Sequence, residues 1–343
     1  MPEQYDFVAI GDTATDAFIR IKDAAVHCTL DQERCEICFR FADKVPYESV
    51  TVVPAVGNSA NASVAASRLG LRSALVSNIG DDYFGVECLA ALKLENVAHD
   101  FITTHKGEKT NYHYVLWYED ERTILVKHEE YTYRLPDFNS PRWIYLSSLG
   151  GNSAEFHAMV ERYLKEHPEI KLAFQPGTFQ MKMGREALTG MYQRAEVFIC
   201  NKEEYQRILE MPEESDAKNL MAAMQKLGPK IAVLTDGPQG AYAYDSKSLS
   251  TGSRQNSQGE FWFMPPYPDP KPPYERTGAG DAFSSTFVAF LALGMSVEEA
   301  LKRAPINSMS VVQYVGAREG LLSREKLEKY LEDAPLGYEP KKI

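Results

Sequence analysis

Short unbroken apolar runs recur along the chain, and each stops at a polar residue or a glycine. Phe7-Val8-Ala9-Ile10 runs into Gly11-Asp12, and Ala74-Leu75-Val76 runs into Ser77-Asn78. Ile144-Tyr145-Leu146 is followed by Ser147-Ser148, and Leu172-Ala173-Phe174 by Gln175. Val197-Phe198-Ile199-Cys200 leads to Asn201, and Ile231-Ala232-Val233-Leu234 to Thr235. Runs of this length without alternation predict strands buried on both faces, as in a parallel sheet. Between them the apolar spacing becomes helical, for example over 155–166 and 216–227. Strand–helix alternation predicts an α/β fold with a doubly wound, mostly parallel sheet. Ligands of such sheets bind beyond the carboxyl ends of the strands, so the polar residues there form a candidate site as a group.

Two segments break the rhythm. Residues 35–41 alternate, with Ile37, Phe39 and Phe41 on one face and Glu36, Cys38 and Arg40 on the other. Residues 112–127 read as a hairpin with a polar turn at Glu119-Asp120-Glu121-Arg122. Both suit strands of a separate small sheet, inserted twice and placed as a lid over the site. The alternative is an antiparallel extension of the main sheet. The expected division is a main domain of residues 1–16, 50–105 and 140–343, with 17–49 and 106–139 as the inserted β lid. The proline-rich residues 265–273 predict a loop or extended connector.

Composition narrows the function classes. The 343 residues hold 37 basic and 48 acidic side chains, a net charge of −11. Such a chain is a poor non-specific nucleic-acid binder, and an anionic ligand would need local backbone donors and metal. No apolar run approaches the roughly 18 residues of a membrane helix, and the polar, acidic residues 1–6 show no secretory signal. Five cysteines, an odd number, fit thiols in a reducing cytoplasm better than a disulfide framework. No nucleic-acid or membrane partner is expected.

The sharpest local motif is Thr277-Gly278-Ala279-Gly280-Asp281-Ala282-Phe283. A helix follows, with Phe283, Phe287, Phe290 and Leu291 on one face and Gly294 as its stop. Glycines let the backbone approach a ligand closely, and the amides of 278–281 at a helix N-terminus suit a phosphoryl group. Asp281 at the same place can accept a hydroxyl proton during phosphoryl transfer. The competing reading makes Asp281 an N-cap and the glycines a turn. Gly57-Asn58-Ser59-Ala60-Asn61 precedes an alanine-rich helix closed by Gly70, and its two asparagines either face a polyol or cap that helix.

With these motifs on one chain, the sequence resembles the ribokinase-like (PfkB) carbohydrate and nucleoside kinases, from Gly11 to Leu322. Val56-Gly57-Asn58-Ser59-Ala60-Asn61 through Ala65-Ala66-Ser67-Arg68-Leu69-Gly70 resembles that family's N-terminal signature. Ile79-Gly80-Asp81-Asp82-Tyr83-Phe84-Gly85 resembles its continuation, and 277–281 its C-terminal signature. The resemblance implies an ATP- and Mg²⁺-dependent kinase acting on a sugar or nucleoside. It implies Asp281 as base with Gly278, Ala279 and Gly280 forming the anion hole. It gives Asp16, Gly57, Asn58 and Asn61 to the acceptor, and Asn201, Thr235, Gly237, Gly240 and Asn307 to the nucleotide. Glu204, in Asn201-Lys202-Glu203-Glu204, would organise the metal. The lid would also make a homodimer contact.

Three positions depart from the family pattern. Glu275-Arg276 stands where Asp-Thr is usual, a pair that helps bind a monovalent cation, so that cation is left open. Val56 replaces the first glycine of a Gly-Gly pair. Ser147-Ser148 stands where ribokinases carry a sugar-binding glutamate, which leans away from ribose.

Other signals weigh less. Cys35-Glu36-Ile37-Cys38, with His27 and Cys28 upstream, lacks a second Cys-x-x-Cys for a zinc site. Tyr112, Tyr114, Trp117 and Tyr118 suit lid packing or a dimer interface better than base stacking, and His113 on the same hairpin is given no role. A dinucleotide oxidoreductase would need a Gly-x-Gly-x-x-Gly turn, and Gly11-Asp12-Thr13-Ala14-Thr15-Asp16 lacks it. A non-catalytic nucleotide or sugar sensor would lack the base or the glycines, and both are present.

Overall fold

The computed structural model describes residues 4–28, 35–119, 121–246 and 259–343. Asp120 of the expected hairpin turn lies outside the described residues. The chain opens with β1 (Phe7–Ile10), β2 (Ala14–Ile21), β3 (Ala25–Cys28), β4 (Cys35–Cys38) and β5 (Tyr47–Val56). Next come α1 (Asn58–Arg68), β6 (Ser73–Gly80), α2 (Tyr83–Leu94), β7 (Ile102–His105), β8 (Tyr112–Tyr118) and β9 (Glu121–Leu125). The middle of the chain forms β10 (Trp143–Leu146), α3 (Ala154–Glu166), β11 (Lys171–Phe174), the short helices α4 (Thr178–Met183) and α5 (Thr189–Arg194), and β12 (Ala195–Asn201). It continues with α6 (Lys202–Leu209), α7 (Ala217–Gln225), β13 (Ile231–Thr235), β14 (Ala241–Asp245) and β15 (Glu260–Met264). Then follow α8 (Ala279–Ala292), α9 (Val297–Val311), α10 (Arg324–Glu332) and β16 (Lys341–Lys342).

The six apolar runs become neighbouring parallel strands in the order β13-β12-β11-β10-β1-β6. Parallel β7 extends one edge, and antiparallel β14, β15 and β16 extend the other. Alternate residues of each strand enter opposite cores. Phe7, Ala9, Leu75 and Tyr145 pack with α1, α8 and α9, whereas Val8, Ile10, Leu146 and Phe174 pack with α3, α5 and α7. That two-sided burial is why these strands carry no polar alternation. Their carboxyl ends, with the polar residues, therefore emerge on one edge of the layer.

A separate four-stranded sheet has the order β5-β2-β8-β9. It includes the expected hairpin, but residues 35–41 do not join it. β4 ends at Cys38 and among the described residues pairs only with β3, and Phe41 is almost fully exposed. Alternation records a two-faced strand but not its partner, and a lone two-stranded ribbon leaves both faces in solvent. The sheet instead takes β2 and β5, which cross the expected boundaries at 16/17 and 49/50. Its inward face carries Asp16, Phe18 and Arg20 on β2 and His113, Val115 and Trp117 on β8, with Asp16 paired to His113. The expectation of free thiols is also corrected: Cys28 and Cys35, opposite one another in the ribbon, form a disulfide, while Cys38, Cys88 and Cys200 are free. No helix among the described residues is long and apolar enough to cross a membrane.

Candidate active site

α8 begins in the manner expected of the Thr-Gly-Ala-Gly-Asp motif. Gly278 is its N-cap at φ +82°, and a Cβ there would lie 2.2 Å from that of Ala317. Only glycine fits both the left-handed backbone and the close approach. The first bond of the helix runs from Ala282 N–H to the Gly278 carbonyl at 2.8 Å. The amides of Ala279, Gly280 and Asp281 precede that ladder and point out of the helix end. Beside them opens a cleft of about 420 Å³, to which Ala279, Gly280, Thr235, Gly237 and Gly240 all contribute. Its far wall comes from α9 and from the proline-rich loop around Pro265 and Pro273.

The other expected nucleotide residues are placed differently. Asn201 caps α6, accepting the Glu204 amide at 2.8 Å, while the Glu204 carboxylate accepts the Asn201 amide at 3.0 Å. Burial raises the Glu204 pKa, and the Asp281 charge adds to the rise, so the two carboxyls sense one another. Asn307 is a correction. Its side chain is fully buried, donating to Thr286 Oγ1 and accepting from the Leu322 amide, both at 2.8 Å. That bracket turns the amide into the core, and its neighbours Ser308 and Met309 line the cleft instead.

Asp281 is the third residue of α8, so the capping reading fails. Its Oδ1 accepts from Asn58 Nδ2 at 2.9 Å and Gln175 Nε2 at 3.3 Å, and its Oδ2 accepts from Asn61 Nδ2 at 2.9 Å. Asn58 and Asn61 are three apart in the first turn of α1 and share a face. They were expected to offer their amides to a polyol; each gives one of its two N–H groups to Asp281. Gly57, at φ +108°, caps the helix, and a Cβ there would meet the Asp12 carbonyl at 2.8 Å. Burial raises the Asp281 pKa. The Asn61 and Gln175 hydrogen bonds and the Arg122 charge oppose this, and the charge of Asp16 reinforces it.

Within reach of Asp281 through the charge of Asp16 lies a polar group that the sequence only partly marks. Asp16 Oδ1 meets His113 Nδ1 at 3.2 Å. Asp12 Oδ2 accepts from Tyr133 Oη at 2.7 Å and from the Gly150 amide at 2.8 Å, with His128 Nδ1 3.8 Å away. Burial pushes the Asp12 pKa up to about 6 and the His128 pKa down to about 4. Asp12 was visible as a strand-end carboxylate. Gln175 was visible as a strand-end amide, and Tyr145, which donates to its Oε1, orients it. Tyr133 and His128 lie on a loop whose sequence has no period. Ser147, at another strand end, is fully buried and bonds Ser59 Oγ at 2.5 Å, away from this group.

The Glu275-Arg276 departure has a definite geometry. The buried Glu275 carboxylate accepts the Thr277 amide at 2.7 Å, the Thr277 hydroxyl, and the Gly316 amide at 3.3 Å. Arg122 of β9 lies 3.9 Å from it, and Arg276 pairs with Glu121 at 3.8 Å. Arg20 also bonds the Tyr274 hydroxyl at 2.9 Å. The small sheet is thus stitched to the segment that leads into α8.

A family model described as pfkB family carbohydrate kinase matches residues 21–324. The ribokinase of Bacillus subtilis is 28% identical over 283 residues, covering 80% of this chain and 87% of the relative. The nucleoside kinase of Methanothermobacter thermautotrophicus is 21% identical, with 99% of each chain covered. Among solved structures, Arabidopsis thaliana ribokinase complexed with ribose and ATP aligns with a TM-score of 0.76 at 18% identity, covering 96% of this chain and 99% of that one. That likeness is one of fold.

Proposed function

The chain belongs to the pfkB family of carbohydrate kinases, and we propose that it transfers the γ-phosphoryl group of Mg·ATP to a hydroxyl of a sugar, with Asp281 as general base. The observation that carries this is the position of Asp281. It is a buried carboxylate in the first turn of α8, whose Ala279 and Gly280 line the cleft with Thr235, Gly237 and Gly240, and it lies close enough to Asp16 to feel that carboxylate's charge.

In this reading the acceptor hydroxyl lies between Asp16 and Asp281. Asp281 accepts its proton as the new O–P bond forms and the bond from Pγ to the β-bridging oxygen breaks. The N–H groups around Gly278, Ala279 and Gly280 stabilise charge on the transferring group without reorganising. Asn58, Asn61 and Gln175 hold the carboxylate in place, and Gly57 lets α1 approach closely enough for this. Mg²⁺, when bound with ATP, neutralises phosphate charge. No group of three acidic or histidine side chains suited to a metal occurs among the described residues. That fits an ion bound largely through nucleotide oxygens and water, with Glu204 and Asn201 as the nearest protein contributors. A monovalent cation fits less well, because Glu275 already serves two backbone amides, a hydroxyl and Arg122. The β5-β2-β8-β9 sheet acts as the lid, and its outer face supplies a homodimer contact.

A nucleoside acceptor is the second reading. It is favoured by the ring of Phe179, set edge-on to His128 at 5.2 Å beside Asp12, where a base could stack. The deciding experiment measures ADP release from Mg·ATP across a panel of sugars and nucleosides, with Asp281→Asn as the control. Acceptor-dependent release should vanish in the variant while ATP still binds. Turnover at the wild-type rate in Asp281→Asn would remove the base assignment.

A further inference from the structure

The acceptor side of Asp281 is one-sided in its hydrogen-bonding chemistry. Asp12 Oδ1 and Asn61 Oδ1 are buried without partners, on residues only 6% and 3% exposed. His113 Nε2 and His128 Nδ1 are likewise buried and unpartnered. The buried oxygens left without any partner here, Asp12 Oδ1 and Asn61 Oδ1, are both acceptors, and a ligand that satisfies them must bring donors.

The charges point the same way. Asp16 lies close enough to Asp281 for their charges to interact, Asp16 meets His113 at 3.2 Å, and Asp12 has beside it His128, whose Nδ1 is 3.8 Å away and whose pKa burial lowers to about 4. Arg122, the cation whose field reaches Asp281, is held between Glu275 and Glu121. A phosphate or carboxylate placed among these residues would meet the carboxylates, and the one ammonium nearby among the described residues, Lys182, is exposed and lies over the outer ring of Phe179. An anion buried in that setting is strongly disfavoured.

We propose that the acceptor is an uncharged, hydroxyl-rich molecule, a free sugar or nucleoside bearing neither phosphate nor carboxylate, and that Asp12 selects it by accepting a hydroxyl hydrogen bond at Oδ1. This rests on the kinase reading above for the identity of the site. The discrimination itself comes from the orphaned acceptors and carboxylates around Asp12. Donors on the ligand fill the sites that the protein leaves open, and like charge excludes sugar phosphates and sugar acids.

The test uses matched pairs: ribose with ribose 5-phosphate, fructose with fructose 6-phosphate, glucose with gluconate, and adenosine with AMP. Binding is read by calorimetry with Mg²⁺ and a non-hydrolysable ATP analogue, and turnover by ADP release. A neutral member should bind and react, with its anionic counterpart at least about a hundredfold poorer in kcat/KM. Preference for an anionic member in either readout overturns the proposal while leaving a kinase. Binding of a neutral member without turnover supports it and instead removes the kinase reading. Asp12→Asn keeps an acceptor for Tyr133 and Gly150 but places a donor where Oδ1 stood. It should raise the KM of the preferred acceptor about tenfold or more, with the KM for ATP unchanged and thermal stability at pH 7 no lower than wild type. An unchanged acceptor KM in that folded variant removes Asp12 from the selection.

Discussion

At the scale of single residues, the site is built from groups whose side chains oppose their surroundings. Asp12 is the clearest case. Its carboxyl has two hydrogen-bond donors, yet burial outweighs them and its pKa rises to about 6. An ordinary aspartate in the unfolded chain titrates near 3.9. The raised value means that the folded state favours the protonated form. The associated stability is full below about pH 4 and is lost as pH rises through about 6. The difference of roughly two pH units corresponds to about 3 kcal/mol. Asp12→Asn removes that titration. Its melting temperature should match wild type near pH 4 and exceed it at pH 7, read by calorimetry across the range. Parallel melting curves at both pH values would show that Asp12 ionises without penalty. Part of this residue-scale design was legible in the sequence. Asp281, Gly278 and Gly280 stand out because their motif combines backbone freedom with a carboxylate. The orphaned Asp12 was not legible, because a polar residue after a buried strand has the same appearance whether it faces a partner or a ligand. Asn58 and Asn61 stand out in the sequence as a pair, but their spacing does not reveal that α8 delivers a carboxylate between them.

At the scale of elements, the apolar runs foretold the parallel strands because burial on both faces leaves a one-dimensional signature. β2 and β5 escaped because their partners lie far away in the chain and Val50 and Val52 keep one face in solvent. The segment Tyr274-Glu275-Arg276 shows what such long-range pairing does. Arg122 and Glu121 at the start of β9 cross with Glu275 and Arg276, tying the small sheet to the entry of α8. The charge of Arg122 also favours the ionised form of Asp281, against the burial that disfavours it. A general base must be ionised to accept a proton, so activity falls as pH drops through its pKa. The acid limb of kcat/KM should therefore lie above the usual aspartate range in the wild type. Arg122→Gln, which deletes the charge, should move that limb higher still. The same assay run in choline chloride and in potassium chloride should give equal rates, since Glu275 is already engaged by protein donors. A limb unmoved by Arg122→Gln would remove Arg122 from the field of the base, and a strict potassium requirement would show that Glu275 is free to bind the ion.

At the scale of the whole molecule, the topology divides the labour. The main sheet aims its strand ends at one edge, α8 brings Asp281 there, and the small sheet closes over it with Asp16 and His113 on its inner face. Its outer face is different. Val52 on β5 and Tyr114 on β8 both flank Ala17 of β2, and Tyr114 pairs with Leu125 of β9, so the three side chains form one row. Each remains about half exposed, at 49%, 49% and 52%. A contiguous apolar row on an open-edged sheet is a liability in a monomer and an asset in a two-fold contact, where the same patch meets itself. We expect the protein to sediment as a dimer, and Val52→Lys combined with Tyr114→Lys to sediment as a monomer. The inner face of the same strands holds Asp16 and His113, so losing the contact should also loosen the acceptor side. The acceptor KM should rise in the monomeric variant while the KM for ATP, set by the cleft beside α8, stays the same. A wild-type monomer at micromolar concentration would remove the dimer. A monomeric variant with an unaltered acceptor KM would show that the lid holds its shape through the Arg122–Glu275 and Arg20–Tyr274 ties alone.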